Sequence, residues 1–220
     1  MRNLFFDIDG TLLSAPGVGQ TALEAAMRSE FAISQPDCQL DFGGKTDRDL
    51  VGQLLRRNGL TVDEESRGRV RRGYSFALSQ HLTKTAGTIH PGVVELLDRL
   101  QTFPDVNLFV MTGNFPETAR MKLETFDLIG YFVRVVGGDL DEDRDDLARR
   151  ALRQLRRSGG GSDVIVIGDT ANDVRCAKAI GARCLAVCTG SGTREDLTAA
   201  GAERVVTDLL DSEVVTFLTQ

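Results

Sequence analysis

The sequence predicts a doubly wound, Rossmann-like α/β fold: a parallel sheet core with an all-helical cap domain inserted after the first strand. Three observations predict it. Short, continuously apolar runs recur along the chain, as expected of parallel strands covered on both faces. Helical patterns lie between those runs. The alternation then fails between about residues 19 and 85, where only helical spacings appear.

The strand-like runs are residues 4–6, 106–111, 132–136, 164–167 and 184–187, with helical patterns at 93–100 and 145–157. Inside the insert, residues 21–31 carry Leu23, Met27 and Phe31 four apart, which makes one apolar stripe. Residues 47–58 carry Leu50, Val51, Leu54 and Leu55, and Gly59 suits the end of that helix. Thr61 and Glu64 have the spacing of a capping box. They would open a third helix bearing Val70, Tyr74, Ala77, Leu78 and Leu82. Turn-rich stretches at 14–19 and 86–92 read as a pair of linkers. The expected division is therefore a core of residues 1–15 and 86–220 and a cap of residues 16–85. Open α/β sheets bind ligands at the carboxyl ends of their strands, so an insert at that point reads as a lid.

With 220 residues, 41% hydrophobic and 26% charged, the chain has the makeup of an ordinary globular protein. No run of about 18 apolar residues suggests a membrane span. Asp7 and Asp9 come too early for a secretory apolar stretch, and four cysteines without a C-x-x-C pair fit reduced thiols, so the expected location is the cytoplasm. A formal charge of −6 without any Trp argues against a nucleic-acid surface. Arg149, Arg150, Arg153, Arg156 and Arg157 fall opposite Leu147, Ala151, Leu152 and Leu155 and read as a solvated helix face; Arg67, Arg69, Arg71 and Arg72 read likewise. Gly44-Lys45-Thr46 lacks the first glycine of a P-loop, and Asp139-Leu140-Asp141 lacks the glycine and glutamate of an EF-hand.

Chemistry concentrates where predicted strands end. Asp7-Ile8-Asp9-Gly10-Thr11 places two carboxylates two residues apart, so both can share a side of an extended segment. Such a pair suits a nucleophile with a general acid, or a hard cation. Thr112-Gly113-Asn114 offers a hydroxyl, an open N–H and an amide for phosphate oxygens. Asp169 and Asp173 stand four apart where a strand becomes a helix, and Arg144 lies in the acidic run 139–146. Singly, each has a structural alternative as a helix cap, a turn or a surface charge. Jointly they gather three or four carboxylates, a costly arrangement without a divalent cation, and Mg²⁺ suits an all-oxygen set.

In these motifs the sequence resembles the haloacid dehalogenase superfamily, in particular its phosphatases with a small helical cap. Asp7-Ile8-Asp9-Gly10-Thr11 resembles the D-x-D-G-T motif, Thr112 the hydroxyl of the second motif, and Gly168-Asp169-Thr170 with Asp173 the fourth, G-D-x-x-x-D. Arg144 stands where the family usually has Lys. The resemblance implies a small phosphorylated metabolite as substrate, Asp7 as the nucleophile and Asp9 as the acid and base. It implies Mg²⁺ held by Asp7, the Asp9 carbonyl, Asp169 and Asp173. Thr112, Gly113, Arg144 and Asn114 would hold the phosphoryl group. Gly43-Gly44-Lys45-Thr46-Asp47 resembles a cap loop that reaches into the site, with Lys45 toward an anionic substrate and Asp47 capping the next helix. A phosphosugar mutase of the same fold and a non-catalytic phosphate-binding protein are the alternatives. Dehalogenation is disfavoured, because dehalogenase relatives lack the acid at Asp9.

Overall fold

The computed structural model describes residues 1–83, 87–161 and 163–220. Its sheet lobe holds strands β1 (Arg2–Phe6), β4 (Val106–Met111), β5 (Arg134–Val136), β6 (Val164–Gly168), β7 (Arg183–Val187) and β8 (Arg204–Val206). All pair in parallel, in the order β5-β4-β1-β6-β7-β8. Side chains alternate between two buried faces. Leu4 and Phe6 of β1, with Leu108 and Val110 of β4, join one apolar cluster, while Phe5, Phe109 and Met111 join the other. The first face is covered by α4 (Val93–Gln101), α5 (Pro116–Thr125) and α9 (Glu213–Thr219). The second is covered by α6 (Arg144–Arg157), α7 (Ala171–Ala179) and α8 (Arg194–Ala200). Double coverage is why the strands are uniformly apolar rather than alternating.

The helical lobe is α1 (Val18–Phe31), α2 (Asp47–Arg57) and α3 (Glu64–Leu82). Ala22, Leu23, Ala26 and Met27 of α1 pack against Val70, Tyr74, Ala77 and Leu78 of α3, with Leu54 and Leu55 of α2, around a third apolar cluster. The linkers read as turns are in part a short antiparallel ladder: β2 (Leu13–Ser14) pairs with β3 (Thr88–Ile89). The boundary expected at 85/86 lies outside the described residues.

Local details differ from expectation for identifiable reasons. Helix α3 is capped by Asp63, whose carboxylate accepts the Ser66 N–H at 2.7 Å, and not by Thr61. Thr61 stands two residues too early, and an ionised acceptor beside the free N–H groups of a first turn is the stronger cap. Helix α2 is capped by the Thr46 hydroxyl, which accepts from Asp49 N, so Asp47 is its first helical residue. Strand β5 begins only at Arg134, paired opposite Phe109, because a 3₁₀ turn at Ile129–Tyr131 precedes it. The solvated-face reading fails for three arginines. The Arg150 side chain is 15% exposed and bonds Asp141 and the Gly137 carbonyl. Arg67 binds Glu142, and Arg71 binds Glu117 through two hydrogen bonds. The latter two join the helical lobe to the sheet lobe.

Candidate active site

Strand β1 lies at the centre of the sheet with β4 and β6 on either side, so the chain departs in opposite directions from its two neighbours. That switch point is where a parallel sheet opens a crevice. Asp7 follows β1, Thr112 follows β4, and Asp169 follows β6. The ladder hydrogen bonds continue past the strands, with Asp7 N–H on the Ile167 carbonyl at 2.9 Å and Thr112 N–H on Val136 at 3.0 Å. Gly10 then turns the chain away at φ 81°, and a Cβ there would come within 2.5 Å of the Asp169 carboxylate. Both the angle and the space require glycine.

Asp7, Asp169 and Asp173 are all buried, and each brings a carboxylate oxygen within 4.8 Å of the others. Arg144, also buried, reaches Asp7 Oδ2 at 3.3 Å and pairs with Asp173 Oδ1. Asp173 uses its other oxygen on the Thr170 N–H and hydroxyl, closing a capping box at the start of α7. Asp169 accepts the Ser191 N–H at 2.9 Å and the Thr11 hydroxyl at 3.3 Å. Asp7 Oδ1 is sealed from solvent and has no hydrogen-bond partner among the described residues.

Burial pushes Asp7 up to about 6 despite the opposing charge of Arg144, and Asp173 and Asp9 add to the rise. Burial also raises Asp169 to about 7, helped by Asp173 and Asp7. Three crowded carboxylates against one guanidinium are short of positive charge, and every donor is oxygen. A hard cation such as Mg²⁺ fits this set.

Asp9 opens onto the cavity. Burial alone would raise its pKa, but the Lys122 ammonium and Asn114 outweigh that and hold it below the ordinary carboxylate range. Lys122 Nζ donates to both Asp9 oxygens at 2.7 Å and to Asn114 Oδ1 at 2.8 Å. Asn114 Nδ2 lies 2.7 Å from Asp9 Oδ2 and 2.8 Å from Thr112 Oγ1. The Asn114 amide, expected at the phosphoryl group, is thus turned toward Asp9. Lys122 escaped the sequence reading. Its only signal there is a lysine on the α5 stripe with Ala119 and Leu123, a position that normally buries an apolar residue.

Loop 43–47 of the helical lobe lies against the site. Asp47 N–H donates to the Gly113 carbonyl at 2.7 Å, and Asn172 Nδ2 reaches the carbonyls of Gly43 and Gly44 at 3.1 and 3.0 Å. A Cβ on Gly113 would overlap the Lys45 carbonyl oxygen, so the close approach of the two lobes requires that glycine. Lys45 lines the cavity, and its ammonium lies 4.0 Å from Asp41. The cavity between the lobes, about 380 Å³, also meets Asp7, Asp9, Thr112, Gly113, Arg144 and Asp169.

Comparisons with known proteins agree with this geometry. The family model for haloacid dehalogenase-like hydrolases matches residues 1–181. The chain is 30% identical over 219 residues to the Probable phosphatase IndB of Dickeya dadantii, covering 96% of this chain and 91% of that one. It is 28% identical over 222 residues to Phosphoglycolate phosphatase 1 of Pseudomonas aeruginosa, covering 96% and 78%. The crystal structure of CbbY from Rhodobacter sphaeroides in complex with phosphate superposes with a TM-score of 0.74 at 19% identity, covering 96% of each chain. With its acidic pair at the end of the central strand, its six-stranded parallel sheet and these relatives, the chain belongs to the haloacid dehalogenase-like hydrolase family, among phosphatases.

Proposed function

We propose that the chain is a Mg²⁺-dependent phosphatase that hydrolyses a small phosphomonoester through a phosphorylated Asp7. The observation that carries this reading is the pair Asp7 and Asp9 at the end of the central strand, both lining the cavity, with Arg144 and Asp169 beside Asp7. A carboxylate held in place at a cavity wall beside a second carboxylate suits a nucleophile with an acid and base.

In the first step Asp7 attacks phosphorus, and the bond from phosphorus to the alcohol oxygen breaks as Asp9, ionised at rest, passes to that oxygen a proton drawn from the Lys122 ammonium. In the second, Asp9 takes a proton from water as the water oxygen attacks phosphorus, and the bond to Asp7 breaks. Phosphate and free Asp7 result. Lys122 and Asn114 fix both oxygens of Asp9 for its two roles. Arg144, the Thr112 hydroxyl and the Gly113 N–H face the transferring oxygens, and preorganised donors of this kind stabilise developing charge. Mg²⁺, held by Asp7, Asp169, the Asp9 carbonyl and Asp173, directly or through water, would supply positive charge to the phosphoryl oxygens.

The helical lobe, residues 16–85, acts as the lid that excludes water from this cavity, with Lys45 at its mouth. The four free cysteines fit a reducing cytoplasm. Among the described residues no helix is long and apolar enough to cross a membrane. The test is phosphate release from a panel of phosphorylated metabolites, with Mg²⁺ or with EDTA, beside Asp7→Asn. Release that needs the metal and is lost in the variant is expected. Release that persists in Asp7→Asn would sink the nucleophile assignment, and conversion of a hexose 1-phosphate to its 6-phosphate would favour a mutase.

A further inference from the structure

The cavity extends beyond the phosphoryl end, and two polar side chains from the helical lobe line it there, each with an oxygen that no described residue bonds. Asp47 is only 9% exposed. Its Oδ2 accepts the Phe115 N–H at 2.7 Å, no described residue donates to Oδ1, and Asp47 lines the cavity. Tyr74 is 3% exposed. Its ring is fixed edge-on to Phe115, with centroids 6.3 Å apart; Tyr74 lines the cavity, and no described residue bonds its hydroxyl. The nearest cation, Lys122, is committed to Asp9 and Asn114. Lys45 also lines the cavity, with its ammonium 4.0 Å from Asp41.

We propose that Asp47 and Tyr74 form the subsite for the leaving alcohol, and that they select phosphomonoesters whose alcohol portion carries a hydrogen-bond donor over those carrying a carboxylate. The donor is a hydroxyl or an ammonium group. This rests on the phosphomonoesterase reading and sharpens its substrate class. A carboxylate oxygen that no protein group bonds is served by water in the cavity, and a ligand donor keeps that hydrogen bond where a ligand carboxylate loses it. A ligand carboxylate would instead meet Asp47 and Asp9, two anions, with one cation already shared. Burial pushes Asp47 up to about 7 against the Phe115 N–H and the charge of Lys122, so it is the ionised acceptor above that pH. Tyr74, kept neutral by burial and by the charges of Asp47 and Asp9, supplies a second group that can accept from the ligand.

The experiment compares kcat/KM of the full chain with Mg²⁺ at pH 8, where Asp47 is ionised, on three esters of similar size: glycerol 3-phosphate, O-phosphoethanolamine and 2-phosphoglycolate. A fourth, p-nitrophenyl phosphate, carries none of the three groups. The hydroxyl or ammonium ester is expected to exceed 2-phosphoglycolate by about 10- to 100-fold. Asp47→Asn, which keeps an oxygen for the Phe115 N–H, should shrink that ratio, most for the ammonium ester, and Tyr74→Phe should shrink it less. Melting curves establish that each variant folds, and Tyr74→Phe carries the test if Asp47→Asn does not. A preference for 2-phosphoglycolate, or a ratio unmoved by the folded variants, overturns the subsite alone. No release from any ester, p-nitrophenyl phosphate included, overturns this subsite and the phosphatase reading together.

Discussion

The two lobes are built on opposite principles. In the sheet lobe, apolar side chains from both faces of every central strand are buried under helices, and Asp7 and Asp169 follow directly on that ladder. The helical lobe has its own apolar cluster, but it meets the sheet lobe mostly through polar contacts: Arg71 on Glu117, Arg67 and the Thr46 hydroxyl on Glu142, and the Arg48 N–H on the Gly138 carbonyl. Phe115 is an apolar exception, a sheet-lobe residue packed into the helical cluster. Groups in a polar interface can exchange their partners for water at small cost, whereas apolar layers cannot. The difference teaches a division of labour. The lobe proposed to do the chemistry is held by a packed core, and the lobe proposed to read the ligand is joined to it by bonds able to open.

The largest test of that division is Asp7→Asn, which should lower turnover by about a thousandfold or more while the melting temperature stays near or above that of the parent. Next comes Lys122→Met. Stopped assays should show kcat down by about 100-fold for alkyl esters and less for p-nitrophenyl phosphate, whose leaving group scarcely needs a proton. An equal loss on both would show that Lys122 serves only the fold.

Cavity-forming changes probe the two packed clusters. Leu97→Ala in the sheet lobe and Leu54→Ala in the helical lobe each remove a fully buried side chain, and each should cost about 2–5 kcal/mol in denaturant melts. Calorimetry should register Leu97→Ala throughout the unfolding transition. Leu54→Ala should mainly shift the part belonging to the helical lobe, and an equal shift by both would join the lobes into one unit.

A subtler effect is in pH. Asp7 and Asp169 have folded values of about 6 and about 7, above the ordinary 3.8. A carboxyl raised on folding contributes stability below its unfolded pKa and loses it as pH rises through the folded value. Metal-free protein should therefore lose melting temperature between about pH 4 and pH 7. Asp169→Asn should flatten that fall, and Mg²⁺ should oppose it most at the upper end. Smallest of all, Arg71→Ala removes a pair in which both side chains are about one-third exposed. Its cost should stay under about 1 kcal/mol, and its mark should be in KM rather than in melting.

Much of this was legible in the sequence because the informative signals are local. Continuous apolar runs mark doubly covered strands, and Asp7, Thr112 and Asp169 each follow one directly, so backbone continuity alone carries them to one edge of the sheet. The helical insert was legible from its i, i+4 stripes. Lys122, the turn of Asn114 toward Asp9, and the roles of Asp47 and Tyr74 were not. Each depends on a partner more than 30 residues away, and a lysine or aspartate in a helical pattern looks the same whether it faces water or a buried carboxylate. Helix caps and arginine partners were misread for a related reason. Several residue types near one terminus have the right chemistry, and only the final backbone decides which comes within hydrogen-bonding distance. The sequence alone determined the fold class, the order of the motifs and the carboxylates at the strand ends, because these follow from periodicity and chain connectivity. The tertiary structure alone decided which groups share the cavity and which charges are paired, because hydrogen bonds and ion pairs depend on distances that packing sets.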